Sequence, residues 1–244
     1  MNIHSFKFKT MANILALVVA IIASISITSF VITYYIINDE INERMPLKLE
    51  SVISDMERKL EAHSSIVRSL ASVTQSSTGT LSRNTYVNIL RDLTGDNQAS
   101  FGFGVWFEPY RYGAAVKYFG PYVYRDGDKI IFTDEYETEE YNFHQQDWYL
   151  TGKTGVKQND IAWSAPFFDE ASGVTMISAV SPFFNQQGAL IGVASGDFDI
   201  VEIQRIVTEI KDENIDMKAF LLDKDGVFLA YDDKTLVMTK KITE

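Results

Sequence analysis

At 244 residues, 46% of them hydrophobic and 13% aromatic, the chain is long enough for one large domain or two small ones with a real core. It has no cysteine, which excludes disulfide scaffolds, thiolate metal sites and cysteine nucleophiles, and His4, His63 and His144 lie too far apart for a histidine metal motif. A net charge of −11 disfavours a phosphate backbone as partner, so no nucleic acid is expected, and it attracts small cations.

The first element is apolar. Residues 11–38 carry no charge, and the run exceeds the ~20 residues that span a bilayer. It is also longer than the ~7–15 apolar residues of a cleaved signal peptide, the competing reading. Tyr34 and Tyr35 stand at its far end, where an aromatic belt belongs. Lys7 and Lys9 precede the run, while Asp39, Glu40 and Glu43 follow it, and all 33 acidic residues lie beyond Asn38. The positive-inside rule then predicts a cytoplasmic segment 1–10, a transmembrane helix 11–38, and residues 39–244 on the outer side of the cell membrane, periplasmic in a two-membrane bacterium.

Residues 39–75 read as one long stalk helix. Ile41, Met45, Leu49, Val52, Met56, Leu60, His63, Val67 and Leu70 recur at threes and fours and draw a single stripe. Such a stripe packs on the chain's own domain, pairs with the same helix of a second copy, or does both along different stretches. Pro46 is tolerable near the start and is a candidate kink. Residues 74–84 read as a polar connector, and residues 86–93 as a short helix capped by Asn84 or Thr85.

Strands follow. Residues 101–108 alternate glycine with large side chains and stop at Pro109. Residues 122–124 and 129–132 flank Arg125-Asp126-Gly127-Asp128, a hairpin whose Asp-Gly supplies the turn. Residues 146–152 suit a short helix, and residues 162–168, 174–184 and 190–198 three further strands of an antiparallel sheet. Residues 199–211 read as a helix with Ile200, Ile203, Ile206, Val207 and Ile210 on its apolar face. Residues 219–222 and 227–230 flank Asp223-Lys224-Asp225-Gly226. That run opens like a calcium loop, but Lys234 occupies the twelfth position, so a tight hairpin is the better reading. The expected class is α+β: a transmembrane helix, a stalk helix, and a membrane-distal module over 76–215 with an antiparallel sheet and peripheral helices. Residues 216–244 read as the start of a second, membrane-proximal module continuing beyond the last residue.

This order resembles the double-Cache, PAS-like sensor domains of bacterial methyl-accepting chemotaxis proteins. The residues that carry the likeness are Trp148-Tyr149, then Ser164-Ala165-Pro166-Phe167-Phe168-Asp169, then Ile177-Ser178-Ala179-Val180-Ser181-Pro182, then Gly192-Val193-Ala194-Ser195-Gly196-Asp197. The resemblance implies an amino-acid-type pocket in which Tyr141, Trp148, Tyr149 and Asp197 hold the matching positions. Gln146 stands where the family has an arginine, and Phe167 where it has a second tyrosine. Arginine grips a carboxylate with two charge-assisted bonds that one neutral amide does not replace. Asp197 can still pair with an ammonium against aromatic faces, so an amine, or a zwitterion held otherwise, is favoured. Asp199, two residues on, shares that face if the segment is extended. Either aspartate could instead cap the following helix, Asp199 being the better placed, and Trp148 and Tyr149 could be plain core.

The functional expectation is the extracytoplasmic ligand-sensing region of a transmembrane chemoreceptor, not an enzyme, with no cofactor, a small amine or amino acid as ligand, and a homodimer through the stalk helix. The sensor region of a diguanylate cyclase or histidine kinase is the alternative output, and a non-sensing dimerisation module a further one. A hydrolase fits worst: there is no G-x-S-x-G, and His144 beside Asp147 is the one conceivable base.

Overall fold

The computed structural model describes residues 3–154, 156–208 and 218–243, in two units divided after Ser54. In the first unit, helix α1 (Ile3–Asp39) is exposed at every described side chain from Phe8 onward and is long and apolar enough to cross a membrane. A π-helical turn, Glu40–Arg44, joins it to α2 (Met45–Ser76). The Met45 N–H reaches the Glu40 carbonyl, five residues back. Pro46, the next residue, has no N–H to give and its ring crowds the carbonyl four back, so the helix widens ahead of it rather than breaking.

In the second unit the remaining turns of α2 bury His63, Ser64, Val67, Leu70, Ala71 and Thr74, the upper half of the expected stripe. Helix α3 (Arg83–Asp96) starts earlier and runs longer than its periodicity predicts. Its cap is Ser82, whose Oγ accepts the Thr85 N–H at 3.2 Å, not Asn84 or Thr85.

The strands are β1 (Gly102–Phe107), β2 (Tyr122–Asp126), β3 (Lys129–Thr133), β4 (Ala162–Trp163), β5 (Phe167–Asp169), β6 (Val174–Phe184) and β7 (Leu190–Asp199). They form one antiparallel sheet in the order β3-β2-β1-β7-β6-β4, with β5 also on β6. The β2–β3 turn is Gly127-Asp128 rather than Asp126-Gly127. Asp126 still pairs with Lys129, and Gly127 takes the φ of +57° that the first turn residue needs.

Alternation sorts the sheet into two faces. Phe103, Val105 and Phe107 of β1, with Val123, Ala179 and Ala194, meet α2 and α3 in the larger core. Gly102, Gly104 and Trp106 look the other way, with Tyr122, Ser178, Ser195 and Asp197. That second face is covered by α4 (Asp147–Thr154) and by the segment before it, which includes a single 3-10 turn at Phe143–Gln145.

The expected strand 162–168 is two strands. Trp163 pairs with Ala179, but Phe167 pairs with Met176, so three residues stand opposite two. Ser164 keeps contact through its backbone N–H to the Ser178 carbonyl and its Oγ from the Ser178 N–H, both at 2.9 Å, while Pro166 has no N–H to pair. The extra residue is a bulge, and it changes parity: Trp163 faces the helices, whereas Phe167 and Asp169 face the opposite side with Met176.

Helix α5 (Ile200–Thr208) follows β7 directly; residues 209–211 of the predicted helix lie outside the described residues. Its Ile203 and Val207 pack with Phe198 and with Ala230 of a terminal hairpin, β8 (Leu221–Leu222) and β9 (Phe228–Ala230). The Asp223 carboxylate accepts the Asp225 and Val227 N–H groups at 2.8 Å, which makes the D-x-D-G run a turn.

Candidate ligand pocket

The glycines of β1 build the floor. A Cβ at Gly104 would stand 2.5 Å from Trp106 Nε1, and one at Gly102 would run into the Tyr122 ring. Glycine at both places lets the indole and the phenol lie flat across the strand. Trp106 is held there by its Nε1, which donates to Ser195 Oγ at 2.9 Å.

Above this floor a small chamber of about 20 Å³ is walled by Trp106, Tyr122, Tyr136, Tyr141, Trp148 and Phe167, with Met176, Ser178, Ser195, Asp169 and Asp197. The rings interlock: Trp106 and Trp148 centroids are 5.0 Å apart, Tyr136 and Tyr141 are 4.8 Å apart, and Trp148 Nε1 donates to Tyr141 Oη at 3.3 Å. The chamber shares Tyr136, Tyr141, Phe167 and Asp169 with an outer hollow of about 540 Å³, whose rim includes Glu135, Glu140, Gln146 and Glu170.

Asp197 sits at the chamber's base, 4% exposed. Its carboxyl is raised to about 7, chiefly by burial and in small part by the nearby Asp169, against the opposing pull of the Ser178 and Tyr122 hydroxyls. Ser178 Oγ donates to its Oδ1 at 2.5 Å. The Tyr122 hydroxyl, on a residue 2% exposed, is turned toward the same carboxylate without a fully formed hydrogen bond and has no other partner. Asp169, 5% exposed, is better supplied: its Oδ2 accepts from Tyr136 Oη at 2.7 Å, Ser172 N at 2.8 Å and Ser172 Oγ at 2.6 Å. Among the described residues no lysine or arginine lines either hollow.

Of the residues picked from sequence, Tyr141, Trp148, Phe167 and Asp197 meet in the chamber. Gln146 stands at the outer hollow, and its Nε2 is committed to the Tyr141 carbonyl at 2.8 Å. Tyr149 turns away: its hydroxyl donates to Glu108 Oε1 at 2.8 Å, beside the Lys153–Glu108 ion pair. Asp199 caps α5, accepting the Val201 N–H at 2.7 Å, although the register puts it opposite Met176. His144 donates its Nε2 hydrogen to the Phe107 carbonyl at 2.8 Å and lies outside both hollows. Sequence reasoning missed Trp106, Tyr122, Tyr136, Asp169, Ser178 and Ser195. The signals were present in the glycine alternation of β1 and in the Tyr122-Val123-Tyr124 alternation of β2.

Known proteins give this arrangement a context. Residues 86–205 match the family model of the first PDC sensor domain of methyl-accepting chemotaxis protein-like receptors. The fold is similar to the extracellular domain of soHK1S-Z6, assigned as a histidine kinase, at TM-score 0.66 and 23% identity over 85% of this chain and 76% of that one. It is also similar to methyl-accepting chemotaxis protein X, at TM-score 0.64 and 20% identity over 84% and 78% of the two chains. The ligand-binding domain of the amino-acid chemoreceptor PctC of Pseudomonas aeruginosa, solved with GABA, aligns at TM-score 0.56 and 19% identity over 78% and 75%. No curated protein sequence matches the chain. Residues 86–205 therefore match the first PDC sensor domain of methyl-accepting chemotaxis protein-like receptors, and the fold is the PAS-like α+β fold of receptor sensor domains.

Proposed function

We propose that residues 39–244 are the extracytoplasmic sensor of a chemoreceptor anchored by α1, with residues 1–10 cytoplasmic, and that its chamber binds an organic ammonium. One observation carries the ligand class: a buried carboxylate, Asp197, fenced by aromatic rings, with no cationic side chain among the lining residues. A guest ammonium supplies the missing charge, and Trp106, Trp148 and Tyr141 offer it π-faces. The family match and the likeness to amino-acid chemoreceptor domains support an amine or amino-acid-like guest. Histidine kinase sensor domains are equally close in fold, so a kinase output is the second reading.

The same reading makes the protein a homodimer. Ala62, Ser65, Ser69 and Val73 of α2 border an apolar groove completed by Ile89 and Leu93 of α3, and small residues at that spacing admit a second helix closely.

Calorimetry of the membrane protein in nanodiscs against amines and amino acids tests the pocket. An ammonium compound is expected to bind, and Asp197→Ala to weaken it by about a hundredfold or more. Binding indifferent to Asp197→Ala would reject the site.

A further inference from the structure

The chamber contains more acceptors than one ammonium needs. Asp169 lies at its neck, shared with the outer hollow, and all three of its described side-chain bonds go to Oδ2, leaving Oδ1 toward no described donor. At the inner end the Tyr122 hydroxyl is buried and unpaired beside Asp197. An orphaned buried hydroxyl is costly unless a guest satisfies it. The inner end thus presents an orphaned hydroxyl beside the Asp197 carboxylate and the neck a second carboxylate with one oxygen uncommitted, and like charges in one small space call for positive charge at both.

Size selects among cations. A void of about 20 Å³ holds one water-sized group. A terminal ammonium is about that size, whereas an α-ammonium brings a branched carbon and a carboxylate with it. A carboxylate at the neck would also face Asp169. The exposed Glu135, Glu140 and Glu170 at the outer hollow extend the negative potential outward along the route of entry.

Resting on the ammonium reading of this chamber, we propose that the guest is an elongated dication of the α,ω-diamine class. One terminal ammonium occupies the inner void between Asp197 and Tyr122, the alkyl chain passes Tyr141 and Phe167, and the second ammonium is held by Asp169 at the neck. Asp169 is a specificity-determining residue in this scheme, choosing a diamine over a monoamine, and Tyr122 accepts an N–H that Asp197 alone leaves over.

Calorimetry on the whole chain in nanodiscs, with α,ω-diamines of increasing length, n-alkyl monoamines and ω-amino acids of matched length, tests it. A diamine of one favoured length should bind about tenfold tighter than its monoamine, and the matched ω-amino acid more weakly than either. Asp169→Asn should erase the diamine's advantage over the monoamine of matched length. Because that substitution also touches the turn after β5, the length optimum on the unaltered protein stands as the independent readout. Diamines and monoamines binding alike at every length would overturn the second anchor and leave the ammonium reading intact. Failure of every ammonium compound to bind would overturn both.

Discussion

Asp197 and His63 lie back to back across β7 and titrate in opposite senses. His63, 2% exposed on α2, is stacked between Phe103 and Trp163 with its Nε2 against Gly196, the neighbour of Asp197. Burial lowers its pKa to about 4, while burial raises that of Asp197 to about 7. The folded state therefore binds the Asp197 proton more tightly than the unfolded chain does, and this stabilisation is lost as pH rises from about 4 to 7. His63 favours the folded state when neutral, and its contribution is lost as pH falls from 6.5 toward 4. The two trends oppose each other, so substituting either residue exposes the other. Relative to the parent, Asp197→Asn should gain melting temperature with rising pH between 4 and 6.5, by several degrees, and His63→Gln should lose it. Thermal melts in a pH series measure both slopes, and parallel curves for all three proteins would contradict the argument. An ammonium guest needs the ionised carboxylate, so its affinity should fall about tenfold per pH unit below about 7.

At the scale of elements, the readable and unreadable parts divide by what determines them. The stripe on α2, the antiparallel strands, the terminal hairpin turn and α5 follow from periodicity and turn chemistry, which local sequence carries. The bulge between β4 and β5 does not: alternation continues on paper through residues 162–168, and only pairing with β6 reveals that Phe167 and Asp169 have crossed to the other face. Asp169 and Ser178 were invisible for the same reason, since their roles depend on partners far along the chain. Tyr149 was misplaced because the Trp148-Tyr149 pair sits on a helix, where neighbours point about 100° apart, so one ring enters the chamber and the other reaches Glu108. The glycines of β1 were noticed as a pattern, but their purpose depends on rings arriving from Trp106 and Tyr122. Gly104→Ala should therefore push the Trp106 indole off its floor and destabilise the domain by about 1–3 kcal/mol, with a shift in tryptophan fluorescence. Gly95→Ala on α3 meets open space and should be neutral or stabilising by up to ~1 kcal/mol. Equal effects of the two in chemical denaturation would refute the account of the floor.

For the molecule as a whole, α2 serves two environments along its length. Leu47, Leu49 and Ile53 are exposed, whereas His63, Val67 and Leu70 are locked against the sheet. The proposed pairing of two copies along the groove at Ser69 and Val73 predicts that Ser69→Glu with Val73→Asp converts the dimer to monomer in analytical ultracentrifugation while leaving ligand affinity unchanged. A species of unaltered mass would remove that surface from the interface. The near absence of empty space beside Asp197 bears on how such a receptor reports its environment. With no cavity waiting at full size, a guest longer than a water molecule has to wedge Tyr141, Trp148 or Phe167 aside, and these rings rest on the strands that also carry α2. Apparent affinity is then discounted by the rarity of the parted form, and the discount is the work delivered to the backbone. A tight, preformed cavity would detect lower concentrations and transmit less; under the proposed binding scheme this chamber would trade sensitivity for displacement.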